Sequence, residues 1–279
     1  MIENQILVDN LIRNALDEDL GAGDITTDAI IAPEAKGKAV LETREEIVLA
    51  GLPVFTRTFE LLSSNMNIEN HYKDGQIVPA GEKICHLSGS LSAILKAERT
   101  GLNFIQRMSG IATLTREYVD RAGTEKVKVM DTRKTVPGLR FFDKYAVRMG
   151  GGFNHRFGLY DGILIKDNHI SAAGSITEAV KLVKKNAPHN IMIEVEVEDL
   201  AGVKEAIKAG TDKILLDNMS HDDIRKAVQL AAGRVMVEVS GGISLENISE
   251  IARTGADLIS VGALTHSARA VDLSLEVIA

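Results

Sequence analysis

One cysteine, Cys85, stands in a chain of 279 residues, so no disulfide can close within it and a cysteine-rich metal site is excluded. That scarcity points to a reducing cytoplasm. Apolar runs long enough to cross a bilayer are missing as well, which excludes a helical membrane anchor. The opening stretch, "MIENQILVDNLIRNALDEDLG", scatters acids among its apolar residues and lacks the basic start and small-residue cleavage site of a signal peptide. It reads as an amphipathic helix. A surplus of positive charge is also lacking: the formal net charge is -7, which argues against nucleic acid as a partner because phosphate-backbone binding needs a basic face. The histidines show neither HExxH nor a paired cysteine spacing, and no G-x-G-x-x-G opens a helix.

What is present is an ordinary globular composition, 45% hydrophobic and 25% charged, on a chain long enough for a barrel plus a smaller domain. Short Val/Ile/Leu-rich runs recur at "VKVM" (127–130), "GILI" (162–165), "IMIEVEV" (191–197), "KILL" (213–216), "VMVEV" (235–239) and "LISV" (258–261). Helix-period stretches such as "SITEAVKLVKKN", "DLAGVKEAIKAG", "DDIRKAVQLAA" and "LENISEIARTG" separate them, several closing on glycine. Ser220 with Asp223 and Ser244 before "LENI" are candidate helix starts. Strand, helix, strand at this cadence means parallel βαβ units. Nearly every run ends in polar residues, which favours a barrel whose strand ends converge on one face. The first half reads as α+β, with helices over 1–20 and 52–62 and a long helical region, 91–122, broken near Gly101 and Gly110. The expected division is an N-terminal α+β domain over 1–110, a barrel over 111–270 and a tail over 271–279.

Charge is concentrated locally. From Asp131 to His169 seven cations (Arg133, Lys134, Arg140, Lys144, Arg148, Arg156, Lys166) face four acids (Asp131, Asp143, Asp161, Asp167), so a small polyanion is the natural ligand. Arg133, Lys134, Arg156 and Lys166 lie at strand ends or in glycine-rich turns, and Arg99 in the helical "KAERTGLNFIQR"; guanidinium groups bind carboxylate or phosphate bidentately, with lysine as point charge. His155 beside Arg156 reads as an anion contact, while His169 and His266 read equally as pocket-wall or as catalytic imidazoles. The glycines of "MGGGFNHR" are expected to let backbone crowd a flat ligand. "SGGI" (240–243) and "VGA" (261–263), after the last two strands, are candidates for a phosphate. Glu194, Glu196 and Glu198 share one face of a strand and, if buried, need cations or a metal. Glu196 and the strand-end Asp217 suit ribose hydroxyls or a hydrated Mg²⁺. The ligand set is thus a phosphorylated sugar and a carboxylic acid.

Those residues sit in motifs that run nearly end to end: "EDLGAGDITT", "AERTGLNFIQRMSGIAT", "DTRKTVPGLR", "DKYAVRMGGGFNHRFGLYDGILIKDNHI", "EVEVEDL", "LLDNM", "SGGI" and "VGALTHSA". In these the chain resembles the quinolinate phosphoribosyltransferases. The resemblance implies an incomplete parallel (β/α) barrel with an N-terminal α+β sandwich domain that the tail rejoins. It implies transfer of phosphoribosyl from phosphoribosyl diphosphate to quinolinate with decarboxylation, in NAD biosynthesis, with Mg²⁺ held by Glu196 and Asp217 directly or through water. Quinolinate would meet Arg133, Lys134, His155, Arg156 and Lys166, with Arg99 arriving from the partner in a homodimer or dimer-based hexamer. Ser240, Gly241, Gly242, Val261, Gly262, Ala263 and His266 would take the phosphoribosyl group, and Lys134, Lys166, Glu196 and Asp217 would be catalytic. Rival readings are a paralogue acting on another aromatic acid, a barrel lyase with Lys166 as Schiff-base nucleophile, and a metabolite-binding protein without turnover.

Overall fold

The computed structural model describes residues 4–123 and 126–278. Strands β1 (Lys36–Thr43), β2 (Ile47–Val48), β3 (Asn67–Asn70), β4 (Ile77–Val78) and β5 (Lys83–Ser90) come first. Short strands β6 (Lys128–Met130), β7 (Ile163–Ile165), β8 (Ile193–Val197), β9 (Lys213–Asp217), β10 (Met236–Ser240) and β11 (Leu258–Ser260) follow, and β12 (Leu273–Ile278) comes last. Two compact units divide the chain: Met1–Arg116 with Val136–Gly151 and Ala268–Ala279, and Glu117–Thr135 with Gly152–Ser267. Residues 136–151, read from sequence as part of the barrel, pack within the first unit.

The first unit is a helix-on-sheet sandwich. Its four-stranded sheet runs β12-β1-β5-β3 with antiparallel pairings, and β12 lies beside β1 from Lys38 opposite Ile278 to Thr43 opposite Leu273. Ala39, Leu41, Ile84, Leu87, Leu273 and Leu275 from the sheet meet Phe55 and Phe59 of the helix Leu52–Leu62 and Ile94, Leu102 and Ile105 of the helix Leu91–Ala122. Cys85 lies in this core, where burial pushes its thiol up to about 12. The helix Arg140–Met149 is held here by polar anchors. Buried Asp143 accepts both ends of the Arg107 guanidinium, at 2.9 and 2.8 Å, and the Val136 N–H at 3.2 Å. Tyr145 donates to Asp74, which also accepts the Gly51 and Leu52 N–H groups at the start of the helix Leu52–Leu62.

The helix Leu91–Ala122 runs unbroken through Gly101 and Gly110. Both glycines serve close approach instead of a break: a Cβ on Gly101 would come within 3.1 Å of the Phe55 ring, and one on Gly110 within 1.9 Å of the Arg269 carbonyl oxygen. Backbone cannot yield as a flexible side chain can. Gly110→Ala is therefore expected to cost about 1–3 kcal/mol, as other over-packing changes do. A fall in the urea midpoint with an unchanged slope checks it.

In the second unit every ladder is parallel, in the order β6-β11-β10-β9-β8-β7. Strands β7 to β11 neighbour one another in chain order and β6 sits beside the last. A flat sheet with this order would force the β6-to-β7 connection across its full width, whereas curling brings those two edges together. On the open side of β6 the Phe153 N–H donates to Val129 O at 2.8 Å and Phe153 O accepts from Asp131 at 3.0 Å, a single parallel bridge toward β7. The result is an incomplete barrel. Helices Ile176–Asn186, Leu200–Ala209 and His221–Ala231 start at Ser175, Asp199 and Ser220, each accepting an N–H of the first turn. Ser244 is not such a cap: the next helix is the short Ile248–Ala252, whose N-cap position is Asn247 and which has no side-chain cap bond.

Candidate active site

Six strand ends converge on one cavity of about 630 Å³. Strand β6 delivers Arg133 and Lys134, β7 Lys166, β8 Glu196, β9 Asp217, β10 Ser240 and β11 Gly262, and all of these line it together with His155, Arg156, Gly241, Gly242, Ala263 and His266. Val261 does not line it; it is buried, with its N–H on Met130 O at 2.9 Å. Arg99 is exposed on the helix Leu91–Ala122 and is not among the lining residues. His169 is also elsewhere, an exposed residue whose Nδ1 accepts the Lys166 N–H at 3.0 Å and caps the helix Asp167–Ala173.

Glycines shape one wall. Gly241 has φ +91°, and a Cβ there would lie 2.2 Å from Asn218 Oδ1. Asn218, itself at φ 53°, donates its amide to Asp217 at 2.8 Å and its backbone N–H to Ser240 O at 3.0 Å. A Cβ on Gly262 would sit 3.1 Å from both His266 Nε2 and the Lys134 stem. Lys134 is fixed by its own backbone, whose carbonyl accepts from Thr265 Oγ1 at 2.8 Å and whose N–H donates to Thr132 at 3.0 Å. "SGGI" does not open a helix directly: the first helical residue after it is Ile248. Gly150, Gly151 and Gly152 of the "GGG" stretch are not among the lining residues. Gly150 and Gly151 belong to the first unit, where a Cβ on Gly150 would come within 2.4 Å of Ala112 O.

Cations line the same cavity. Arg156 is held by its guanidinium on Gly162 O at 2.9 Å. Burial, then the neighbouring Arg133, lowers its pKa, so two like charges share the cavity before any anion arrives. Lys166 reaches Glu196 at 2.7 Å.

Beneath this layer lies a second one that sequence reading only half found. Glu194 is buried in β8, Glu196 is half-buried near the rim and Glu198 is exposed beyond the strand, so the trio does not act as one face. Glu194 stands opposite Lys213 in register, and the Lys213 ammonium lies 3.0 Å from Glu194 and 2.7 Å from buried Glu238. His155 Nε2 lies 3.1 Å from Glu194 and 3.5 Å from Glu238, and Ser260 hydrogen-bonds Glu238. Burial, reinforced by Glu194, raises the Glu238 pKa. Glu194 moves the other way: burial pulls it up, but the His155 hydrogen bond and Lys213 outweigh that and lower it. Among the described residues, His155, Glu194 and Glu238 are the one group with metal-ligand spacing. The Lys213 ammonium already supplies the cation between the two carboxylates.

With this geometry in hand, the known proteins it matches are informative. Residues 24–109 match the N-terminal domain and residues 111–276 the C-terminal domain of quinolinate phosphoribosyl transferase. A probable nicotinate-nucleotide pyrophosphorylase (carboxylating) of Bacillus subtilis is 46% identical over 274 residues, covering 98% of this chain and 94% of its own. A mitochondrial quinolinate phosphoribosyltransferase (decarboxylating) of Nicotiana tabacum is 42% identical over 286 residues, covering 96% and 81%. The crystal structure of NadC from Streptococcus pyogenes superposes with a TM-score of 0.95 at 44% identity, over 99% of each chain. Matches of this extent, across both domains, make the chain a member of the quinolinate phosphoribosyltransferase family.

Proposed function

We propose that the chain transfers phosphoribosyl from phosphoribosyl diphosphate to quinolinate with decarboxylation, giving nicotinate mononucleotide, CO₂ and diphosphate. The observation that carries this is one cavity with an arginine and lysine wall, a carboxylate pair at adjacent strand ends, and a glycine ledge. Arg133, Arg156 and Lys166 suit the two carboxylates of the flat acid. Ser240, Gly241, Gly242, Gly262 and Ala263 suit the 5-phosphate, with backbone N–H groups close to the anion because no Cβ intervenes. Glu196 and Asp217 suit the ribose hydroxyls. These two oxygen donors also fit Mg²⁺, which takes one or two carboxylates and fills its shell with water and substrate phosphate. When bound, the ion would neutralise charge on the leaving diphosphate.

The chain's own residues then act by orientation and field. Arg133 and Arg156 hold the ring so that its nitrogen faces the anomeric carbon. As the C–O bond to diphosphate breaks, positive charge grows on the ribose beside Glu196 and Asp217, and Lys134 meets the departing oxygens. Once alkylated, the ring nitrogen is cationic and stabilises the electron pair left on the adjacent carbon as CO₂ leaves. Protonation of that carbon completes the product. Arg99, exposed on its helix, is proposed to serve the cavity of a second copy in a homodimer. Carboxyl-labelled quinolinate tests the reading: CO₂ release that needs quinolinate, phosphoribosyl diphosphate and Mg²⁺ together is the expected result, and none from folded protein would overturn it.

A further inference from the structure

The first unit carries a pair of histidines that the proposed reaction leaves unused. His86 lies on β5, and His71 follows β3, the edge strand of the four-stranded sheet, with its N–H still on Ile84 O at 2.9 Å. Register sets Glu69 of β3 directly opposite His86. Opposed residues and residues two apart on a strand share a face, so Glu69, His71 and His86 project from the same side of the sheet. The other side supplies Ile68, Cys85 and Leu87 to the core.

The two rings lie closer than a straight hydrogen bond would hold them. His71 Nε2 is 3.0 Å from His86 Nδ1, with ring centres 4.8 Å apart and ring planes at 82°. A straight N–H···N bond of that length would put the centres about 5.3 Å apart. Two imidazoles at right angles around one ion, each nitrogen about 2.1 Å from it, would have nitrogens about 3.0 Å apart and centres about 4.6 Å apart. The pair is near this second arrangement. At a tetrahedral angle the same two distances would be about 3.4 and 5.3 Å, so the spacing suits ions with square or octahedral preference, such as nickel(II) and copper(II), which imidazole and carboxylate ligate.

The remaining requirements are met nearby. One of the two facing nitrogens carries the hydrogen of the present bond; moving it to the second nitrogen of the same ring frees both lone pairs without a change of charge. Glu69 is exposed, and its carboxylate makes no hydrogen bond or ion pair among the described residues. It is not at ligand distance as it stands, and a turn about its side-chain bonds brings it toward the rings. His71 also lines a cavity of about 860 Å³, which leaves room for water in the other coordination positions.

We propose that His71 and His86, with Glu69 as third ligand, form a clamp for one divalent transition-metal ion of right-angle preference, which staples the edge strand β3 to β5. The two histidines are 15 residues apart in the chain, so only the folded sheet brings them together and binding stabilises that fold. None of the three belongs to the residues assigned to phosphoribosyl transfer, and the proposal is independent of that reading.

Nickel(II) is the probe, added to full-length protein free of any affinity tag and in excess Mg²⁺. Calorimetry should show one ion per chain, with His71→Ala and His86→Ala each weakening it at least about ten-fold, or about 1.4 kcal/mol, and Glu69→Gln weakening it less. Zn²⁺ should bind more weakly than Ni²⁺, and the melting temperature should rise with Ni²⁺ in the parent but not in the histidine variants. A measurement on the parent alone covers the case of variants that fold poorly: in ¹H–¹⁵N spectra, paramagnetic broadening should centre on the amides of 69–71 and 85–87. No bound ion, affinity unchanged in both histidine variants, tighter binding of Zn²⁺, or broadening centred on Glu194 and Glu238 would each overturn the proposal.

Discussion

Lys213→Met is expected to cost about 3–5 kcal/mol of folding stability at neutral pH, the range seen when one partner of a buried ion pair is removed. Lys213 is the cation between two carboxylates that water hardly reaches, at 3.0 Å from Glu194 and 2.7 Å from Glu238. Methionine fills the stem volume, so the loss is electrostatic. The pH dependence identifies the cause. In the parent the lowered Glu194 pKa gives stability that is present above the unfolded value and lost as pH falls through the folded one. Lys213, raised because Glu238 and Glu194 together outweigh its burial, gives stability that is lost only as pH rises through its folded value. In the variant both carboxylates lack a counter-ion and both folded values move up. The folded state then binds more protons than the unfolded one, so stability should climb as pH drops from neutral toward the unfolded glutamate value of about 4.3, more steeply than in the parent, where Glu238 alone of the two is raised. Urea melts of both proteins across this window check it. A variant whose stability follows the same pH slope as the parent would show that the lysine matters for packing and not for charge.

Arg156→Ala should weaken quinolinate binding about 100-fold, equivalent to about 2.7 kcal/mol for a charge-assisted pair that loses its cation. Phosphoribosyl diphosphate should bind as before, because the glycine ledge and Asp217 come from other strand ends. The folded state itself has little to lose. Burial and Arg133 both disfavour the charged guanidinium, so the melting temperature should stay level or rise slightly, the usual sign of a group kept for function at some expense to stability. Calorimetric titration with each ligand, beside a thermal melt, tests all three statements at once. Unchanged quinolinate affinity would remove Arg156 from the anion wall.

Much of the barrel was legible because its strands are short Val/Ile/Leu runs separated by helices with clear starts. Each of the six runs, from "VKVM" to "LISV", became a strand, and the polar residues after them met in one cavity. Residues whose role depends on neighbours along the chain, such as Ser220 or Gly241, could be found that way. Lys213 and Glu238 could not. Each looks like a polar interruption in an apolar run, and only the register that sets Glu194 opposite Lys213 turns them into a buried cluster. A hint existed in the alternation of "VMVEV", which places Glu238 on the same strand face as Met236 and Ser240. Gly101 and Gly110 misled for a related reason. A glycine that admits a distant backbone or ring is indistinguishable in sequence from one that ends a helix, and Arg269 is far from Gly110 along the chain. His155 lines the cavity as the sequence suggested, but its approach to Glu194 was beyond any motif.

The position of β12 has a consequence for how the molecule comes off the ribosome. The edge of β1 that it covers emerges about 230 residues before β12 does, on the order of ten to fifty seconds at ordinary elongation rates. Through that interval the sheet of the first unit lacks a strand and its core lacks Val271, Leu273 and Leu275. An uncovered edge invites pairing with a neighbouring nascent chain. Lys36 and Lys38 at the start of β1 place charge along that edge, the kind of gatekeeping that discourages such pairing. Translation speed and chaperone supply should therefore govern the yield of soluble protein more strongly than the stability of the finished fold does.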